Sequence, residues 1–228
     1  MNYNKAFWDN IFYKNNENSI EHKHTIYYQC PDKTAFFHYQ TTSNILYLIL
    51  IKYKINLEDK KILDIGSGSG YWIDLYNNLF NNINITGIDI SKKISLILNK
   101  KYEKNININI FNNDILNMNT INKFYLINAI GVMFHIVNDK EFENSIKNIS
   151  EILLKNGYLI IGGEFGCENK YLHFIDENKK PIKKIRSLEF WKKILSKYKL
   201  IIKKKFLNKC RDFISSPQNN ILLIQKLE

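Results

Sequence analysis

The stretch KKILDIGSGSGYWIDL, residues 60–75, decides the fold. Its first six residues form an apolar run that reads as a buried strand. Gly66-Ser67-Gly68-Ser69-Gly70 follows, and YWIDLYNNL (71–79) then has the apolar spacing of a helix. A glycine loop between a strand and a helix ordinarily cradles a phosphate, because bare backbone N–H groups and the helix N-terminus favour negative charge. Asp64 stands two residues before the first glycine, where its carboxylate would repel such a group. What the loop holds is therefore the first question the sequence poses.

Outward from this stretch, short strand-like and helical runs alternate. Strands are expected at 84–90 (NITGIDI), 105–111 (NININIF), 124–131 (FYLINAIG) and 158–165 (YLIIGGEF). Helices are expected at 92–102, 139–154 and 187–198; Asn156-Gly157 reads as a helix stop and Ser187 as an N-cap. Two strands, 199–207 and 220–227, close the chain without an intervening helix and read as an antiparallel hairpin. The pattern predicts an α/β, Rossmann-like mixed sheet with helices on both faces and an antiparallel C-terminal β-hairpin. Residues 1–57 precede the first strand and read as an N-terminal helical cap or lid, strongest over 41–54. Residues 58–228 read as the main domain.

Composition bounds the class. At 228 residues and 45% hydrophobic the chain supports one sizeable core. Cys30, Cys167 and Cys210 are scattered and odd in number, which fits reduced thiols in a cytoplasmic protein rather than a disulfide framework. The start, MNYNKAFWDN, lacks the layout of a secretion signal. The longest apolar run, ILYLILI (45–51), is far short of the roughly 20 residues of a membrane span, so no membrane insertion is expected. The net charge of +11 is concentrated late: between 179 and 211 the lysines and arginines face the lone acid Glu189. Such a face can attract nucleic acid, although the A/T-rich codons of Asn, Lys and Ile, abundant throughout the chain, supply these lysines more simply.

In an open α/β sheet, ligands sit outside the carboxyl ends of the strands. Asp64–Gly70, Asp89, Asp114 and the stretch after Ile130 all fall at strand ends. A dinucleotide fingerprint needs a third glycine where Tyr71 stands. Asp89 lies about 20 residues downstream, where a ribose-binding acid belongs, but it suits either ligand class. Asp64 separates the two, since it repels a diphosphate and attracts a cationic, phosphate-free ligand.

ILDIGSGSGYW, ITGIDIS, FNNDIL, NAIGVMFHIVND and ISEILLKNGYLIIGGEF, in that order and at those separations, resemble the class I S-adenosylmethionine-dependent methyltransferases over roughly residues 58–226. The resemblance implies a seven-stranded sheet and S-adenosyl-L-methionine as cofactor. It assigns Gly66, Ser67, Gly68 and Gly70 to the methionine part and Asp64 to its amino group. Asp89 with Ile90 takes the ribose, Asp114 with Ile115 the adenine edge, and Asn128 with Ala129 the region of the reacting methyl. Gly157, Gly162 and Gly163 read as turn and packing glycines.

The acceptor is less legible. No N/D-P-P-Y/F/W signature or Pro-Cys nucleophile follows the fourth strand, and no metal is implied. MFHIVND resembles the corresponding stretch of small-molecule methyltransferases, which makes His135 a candidate general base, with loop ordering as its alternative role. Tyr28 and His38 are further catalytic candidates, in the aromatic segment 21–42 that reads as a lid over the acceptor. His173, Lys183, Lys184 and Arg186 would suit an anionic acceptor, with solvated surface charge as the simpler reading. The expectation is methyl transfer to oxygen or nitrogen of a small molecule by a monomer or homodimer. The alternatives are an RNA methyltransferase using the basic stretch and a catalytically silent cofactor-binding partner protein.

Overall fold

The computed structural model describes Trp8 and residues 32–166, 170–171, 183–208 and 218–228. These fall into two compact units, Met1–Met118 and Asn119–Glu228.

In the first unit, helix α1 (Asp32–Lys52) buries Ala35, Tyr39, Thr42, Ser43, Leu46 and Ile49. β1 (Lys61–Ile65) buries every residue after the first, β2 (Asn84–Asp89) runs parallel to it, and β3 (Ile108–Asn112) is parallel to β2. Fully burying an Ile or Leu side chain such as Ile62 or Leu63 contributes about 1.5–3 kcal/mol. Helix α2 (Tyr71–Leu79) turns Trp72, Ile73, Leu75 and Tyr76 inward. Helix α3 (Lys92–Lys101) buries Ile94, Ser95 and Leu98; its cap, Ser91, accepts the Ile94 N–H.

In the second unit, β4 (Phe124–Ile130) pairs in parallel with β5 (Leu153–Phe165). β5 pairs antiparallel with β9 (Gln218–Lys226), which pairs antiparallel with β8 (Leu200–Leu207). Helix α4 (Asp139–Ile152) is capped by Asn138, and helix α5 (Leu188–Lys197) by Ser187, whose side chain accepts the Phe190 N–H. A two-residue ribbon joins β6 (Lys170–Tyr171) to β7 (Lys184–Ile185). Seven strands form one mixed sheet in the order β3-β2-β1-β4-β5-β9-β8, so the expected fold class and the closing hairpin are present.

One boundary differs from expectation. Asn156-Gly157 is not the helix stop: α4 ends at Ile152, and the chain enters β5 at once, with Leu153 buried opposite Phe124. Asn156, at φ 60, and Gly157 instead lie within β5 beside a register shift between Phe124 and Leu126. A Cβ on Gly157 would meet the Leu154 and Tyr125 carbonyls at 2.9 Å, so this glycine serves backbone packing.

Candidate functional site

The glycine loop is bonded to its own protein. Gly66 and Ser67 donate their N–H groups to the Ile88 carbonyl at 2.8 and 3.1 Å, and Gly70 donates to the Ser67 carbonyl at 2.7 Å. Gly68 donates to Asp89 Oδ2 at 2.9 Å, while Ser91 N–H donates to Asp89 Oδ1 at 2.9 Å. Backbone donors that a phosphate cradle would direct outward are thus taken by a strand carbonyl, a loop carbonyl and a carboxylate. Beneath the loop lies Gly87 of β2. A Cβ there would meet Ser67 Oγ and Ile110 Cδ1 at 2.7 Å, so the loop settles onto β2 because that strand residue has no side chain.

Asp64 is fully buried at the end of β1. The residue has partners in the fold, but its Oδ2 accepts no hydrogen bond among the described residues. Its charge is felt by Tyr76, whose phenol is pushed well above the usual tyrosine range by burial first and by Asp64 second. The sequence places this carboxylate at a strand end facing the crevice; the structure shows it fully buried there. Asp89 is buried too, at 9% exposure, and keeps two backbone donors on its carboxylate.

Past the loop, α2 begins at Gly70, in the left-handed region at φ 79, with no side-chain cap. Its first turn presents the positive end of a helix with no side-chain cap, and the acid of that turn, Asp74, is bonded to Lys101 and Tyr102. At the end of β3, Asn112 Nδ2 donates to the carbonyls of Asp89 and Ile90 at 3.0 Å each, which ties this end to β2. Asp114 accepts from Asn117 N and from Asn117 Nδ2 at 2.9 Å, closing a local turn, and Ile115 is buried beside it. The structure thus gathers Asp64, Gly66, Ser67, Gly68, Gly70, Asp89 and Ile90 at the strand ends of the first unit. Asp114 and Ile115 follow the tied end of β3.

Also in the first unit, Tyr39 of α1 lies 4.2 Å, centroid to centroid, from Tyr71, and Ser43 Oγ is 3.0 Å from the Tyr71 hydroxyl. His38 is half-buried, edge-on to Tyr39. Tyr28 and His173 lie outside the described residues.

In the second unit, Asn128 and Ala129 are wholly buried inside β4, short of its end. The exposed position is Gly131, at φ 80, where an added Cβ would meet nothing within 4 Å. His135 closes a single 3-10 turn, Met133–His135, and is half-buried with its ring 4.5 Å from Phe134. Phe134 in turn fills the space a Cβ would take on Gly163, as Ile130 does on Gly162.

Lys183, Lys184 and Arg186 are not surface charges: all three are buried. Lys183 is ion-paired with Glu164 and lies 4.7 Å from the Phe134 ring centre. Lys184 and Arg186 share Asp139, at 2.7 and 2.8 Å, and the guanidinium stacks 4.0 Å over Phe142. Burial demanded these partners, since an unpaired buried cation is costly. Sequence reasoning missed the pairing because Asp139 and Glu164 are remote in the chain. A small cleft beside them is lined by Phe134, Glu164, Lys184, Arg186 and Trp191.

Residues 62–157 match the family model described as a methyltransferase domain. No curated protein matches the sequence. Among solved structures, the chain is similar to magnesium protoporphyrin IX methyltransferase from Synechocystis with bound S-adenosylhomocysteine. Identity is 16% over 98% of this chain and 99% of that one, with a TM-score of 0.67. A S-adenosylmethionine-dependent methyltransferase from Clostridium acetobutylicum has 15% identity, covers 83% and 92%, and has a TM-score of 0.65. The N-methyltransferase NodS from Bradyrhizobium japonicum, in complex with S-adenosylhomocysteine, has 16% identity, covers 84% and 88%, and has a TM-score of 0.63. The chain thus matches a methyltransferase-domain model over residues 62–157 and shares the fold of solved S-adenosylmethionine-dependent methyltransferases.

Proposed function

We propose that the chain binds S-adenosyl-L-methionine and transfers its methyl group to oxygen or nitrogen of a small molecule. The observation that carries the reading is the Gly68 N–H donated to Asp89: the loop is occupied by protein acceptors and flanked by two buried acids. A diphosphate is repelled there, whereas a ligand with an ammonium, a sulfonium and ribose hydroxyls is attracted. The residues present fit that cofactor. The Asp89 carboxylate stands at the end of β2 beside the loop, and a carboxylate there suits ribose hydroxyls. The uncapped start of α2 suits the carboxylate of the methionine part, and buried Asp64 favours a cation near the loop through its field. Asp114 and the Ile115 backbone are the adenine side of the proposal.

Bound at this site, the cofactor supplies an already activated methyl group, so alignment and exclusion of water fall to the protein. Residues 1–57 serve in this reading as a lid. Its described helix, α1, lies against Tyr71 and Trp72, the first residues after the loop. His135 is the candidate base for the acceptor proton. An anionic acceptor would have to compete with Glu164 and Asp139 for Lys183, Lys184 and Arg186. Proteins of similar structure include an N-methyltransferase and an O-methyltransferase, which supports oxygen or nitrogen as the acceptor atom in this reading. The cell compartment of the proposal is the cytoplasm.

The test is incubation with methyl-labelled S-adenosylmethionine and a fractionated cell extract. Label recovered in a small molecule, with a one-methylene mass gain, supports the proposal. Label confined to RNA, or no transfer at all, overturns it in favour of the RNA methyltransferase or the silent partner protein.

A further inference from the structure

The far end of α3 returns to the glycine loop. Tyr102, its C-cap, is 9% exposed and directs its hydroxyl at Asp74 Oδ1, 2.8 Å away, and at the Gly70 carbonyl, 3.1 Å away. Lys101 Nζ donates to Asp74 Oδ2 at 2.6 Å and to the Ser69 carbonyl at 3.3 Å. Gly70 must be glycine on two counts, its φ of 79 and the Tyr102 hydroxyl standing where a Cβ would be. Burial first, then the Asp74 carboxylate, pushes the Tyr102 phenol well above its usual range, so it stays a neutral donor.

These contacts act on peptide planes. In a trans peptide the carbonyl and the following N–H point in opposite directions. Holding the Gly70 oxygen therefore aims the Tyr71 N–H, the first amide of α2. The other end of α3 is fixed as well, since Ser91, its cap, donates its N–H to Asp89. A single ten-residue helix thus sets both the acid end and the amide end of the loop.

We infer that Tyr102, supported by Asp74 and Lys101, is a positioning residue for the amino-acid end of the cofactor. It orients the Gly70–Tyr71 peptide and does not itself touch the ligand. This rests on the S-adenosylmethionine reading and adds a residue to it. Neither the glycine motif nor the β2 acid points to Tyr102.

The experiment compares wild type with Tyr102→Phe, which keeps the ring and removes only the hydroxyl. Two ligands are titrated calorimetrically: S-adenosylhomocysteine, and 5′-methylthioadenosine, which lacks the amino-acid end, the weaker one read by displacement of the other. The expected result is a roughly threefold to tenfold loss of S-adenosylhomocysteine affinity, the size of one neutral hydrogen bond, with methylthioadenosine affinity unchanged. Equal weakening of both ligands, or no change in either, overturns the inference. Asp74→Asn is the second variant and should show the same selective loss; if neither variant folds, the cluster is only scaffold and the inference fails. Absence of S-adenosylhomocysteine binding by the wild type overturns the cofactor reading itself, which is a distinguishable result.

Discussion

Asp89 fastens the glycine loop through Gly68 and starts α3 through Ser91, one backbone donor on each oxygen. Asp89→Asn keeps one acceptor of comparable shape but replaces a charge-assisted bond. It should weaken S-adenosylhomocysteine binding about tenfold in an equilibrium titration, and Asp89→Ala should weaken it about a hundredfold. Gly87 acts from below. A methyl group there would run into Ser67 Oγ, Ile110 and Ile73, so Gly87→Ala should cost about 1–3 kcal/mol in urea unfolding. It should also lower cofactor affinity, because the loop must rise off β2. The sequence makes the loop and its acids visible through spacing alone. It does not reveal that Asp64 is fully buried, because burial depends on what the rest of the fold brings over the strand end.

At the scale of elements, the caps and strands follow from local rules, and Ser187 occupies the cap position read from its sequence. The end of α4 does not, since Asn-Gly is a stop signal for helices and equally a bulge signal for strands. Tertiary pairing of Leu153 with Phe124 decided between them. β8 is an edge of the sheet, and its exposed Lys203, Lys204 and Lys205 surround a register shift between Ile202 and Lys204. Charge plus irregularity is a common protection of an edge against pairing with another chain. Replacing all three lysines by threonine should leave the thermal midpoint nearly unchanged while promoting aggregation, measured by light scattering at rising protein concentration. Unchanged scattering would contradict that protective role.

For the whole molecule, the βα alternation predicted the seven-stranded mixed sheet, and the antiparallel end was legible from two strands without a helix between them. Ion pairs were not legible. Asp139 joins α4 to β7 and to the following Arg186 by binding two cations. Burial alone would raise its carboxyl pKa, but the hydrogen bonds from Lys184 and Arg186 outweigh this and hold it below the usual carboxylate range. A carboxylate whose pKa is lower folded than unfolded stabilises the fold above its unfolded pKa, about 4, and loses that contribution as pH falls through the folded value. The urea midpoint of the wild type should therefore exceed that of Asp139→Asn at neutral pH, and the gap should narrow below about pH 4.

The most direct measurement of the central claim is a calorimetric titration of the intact protein with S-adenosylhomocysteine, repeated in the presence of excess NAD. The loop bonded to Asp89 predicts saturable binding at one ligand per chain that the diphosphate does not displace. Competitive displacement by NAD, or binding of NAD with no heat from S-adenosylhomocysteine, would contradict it.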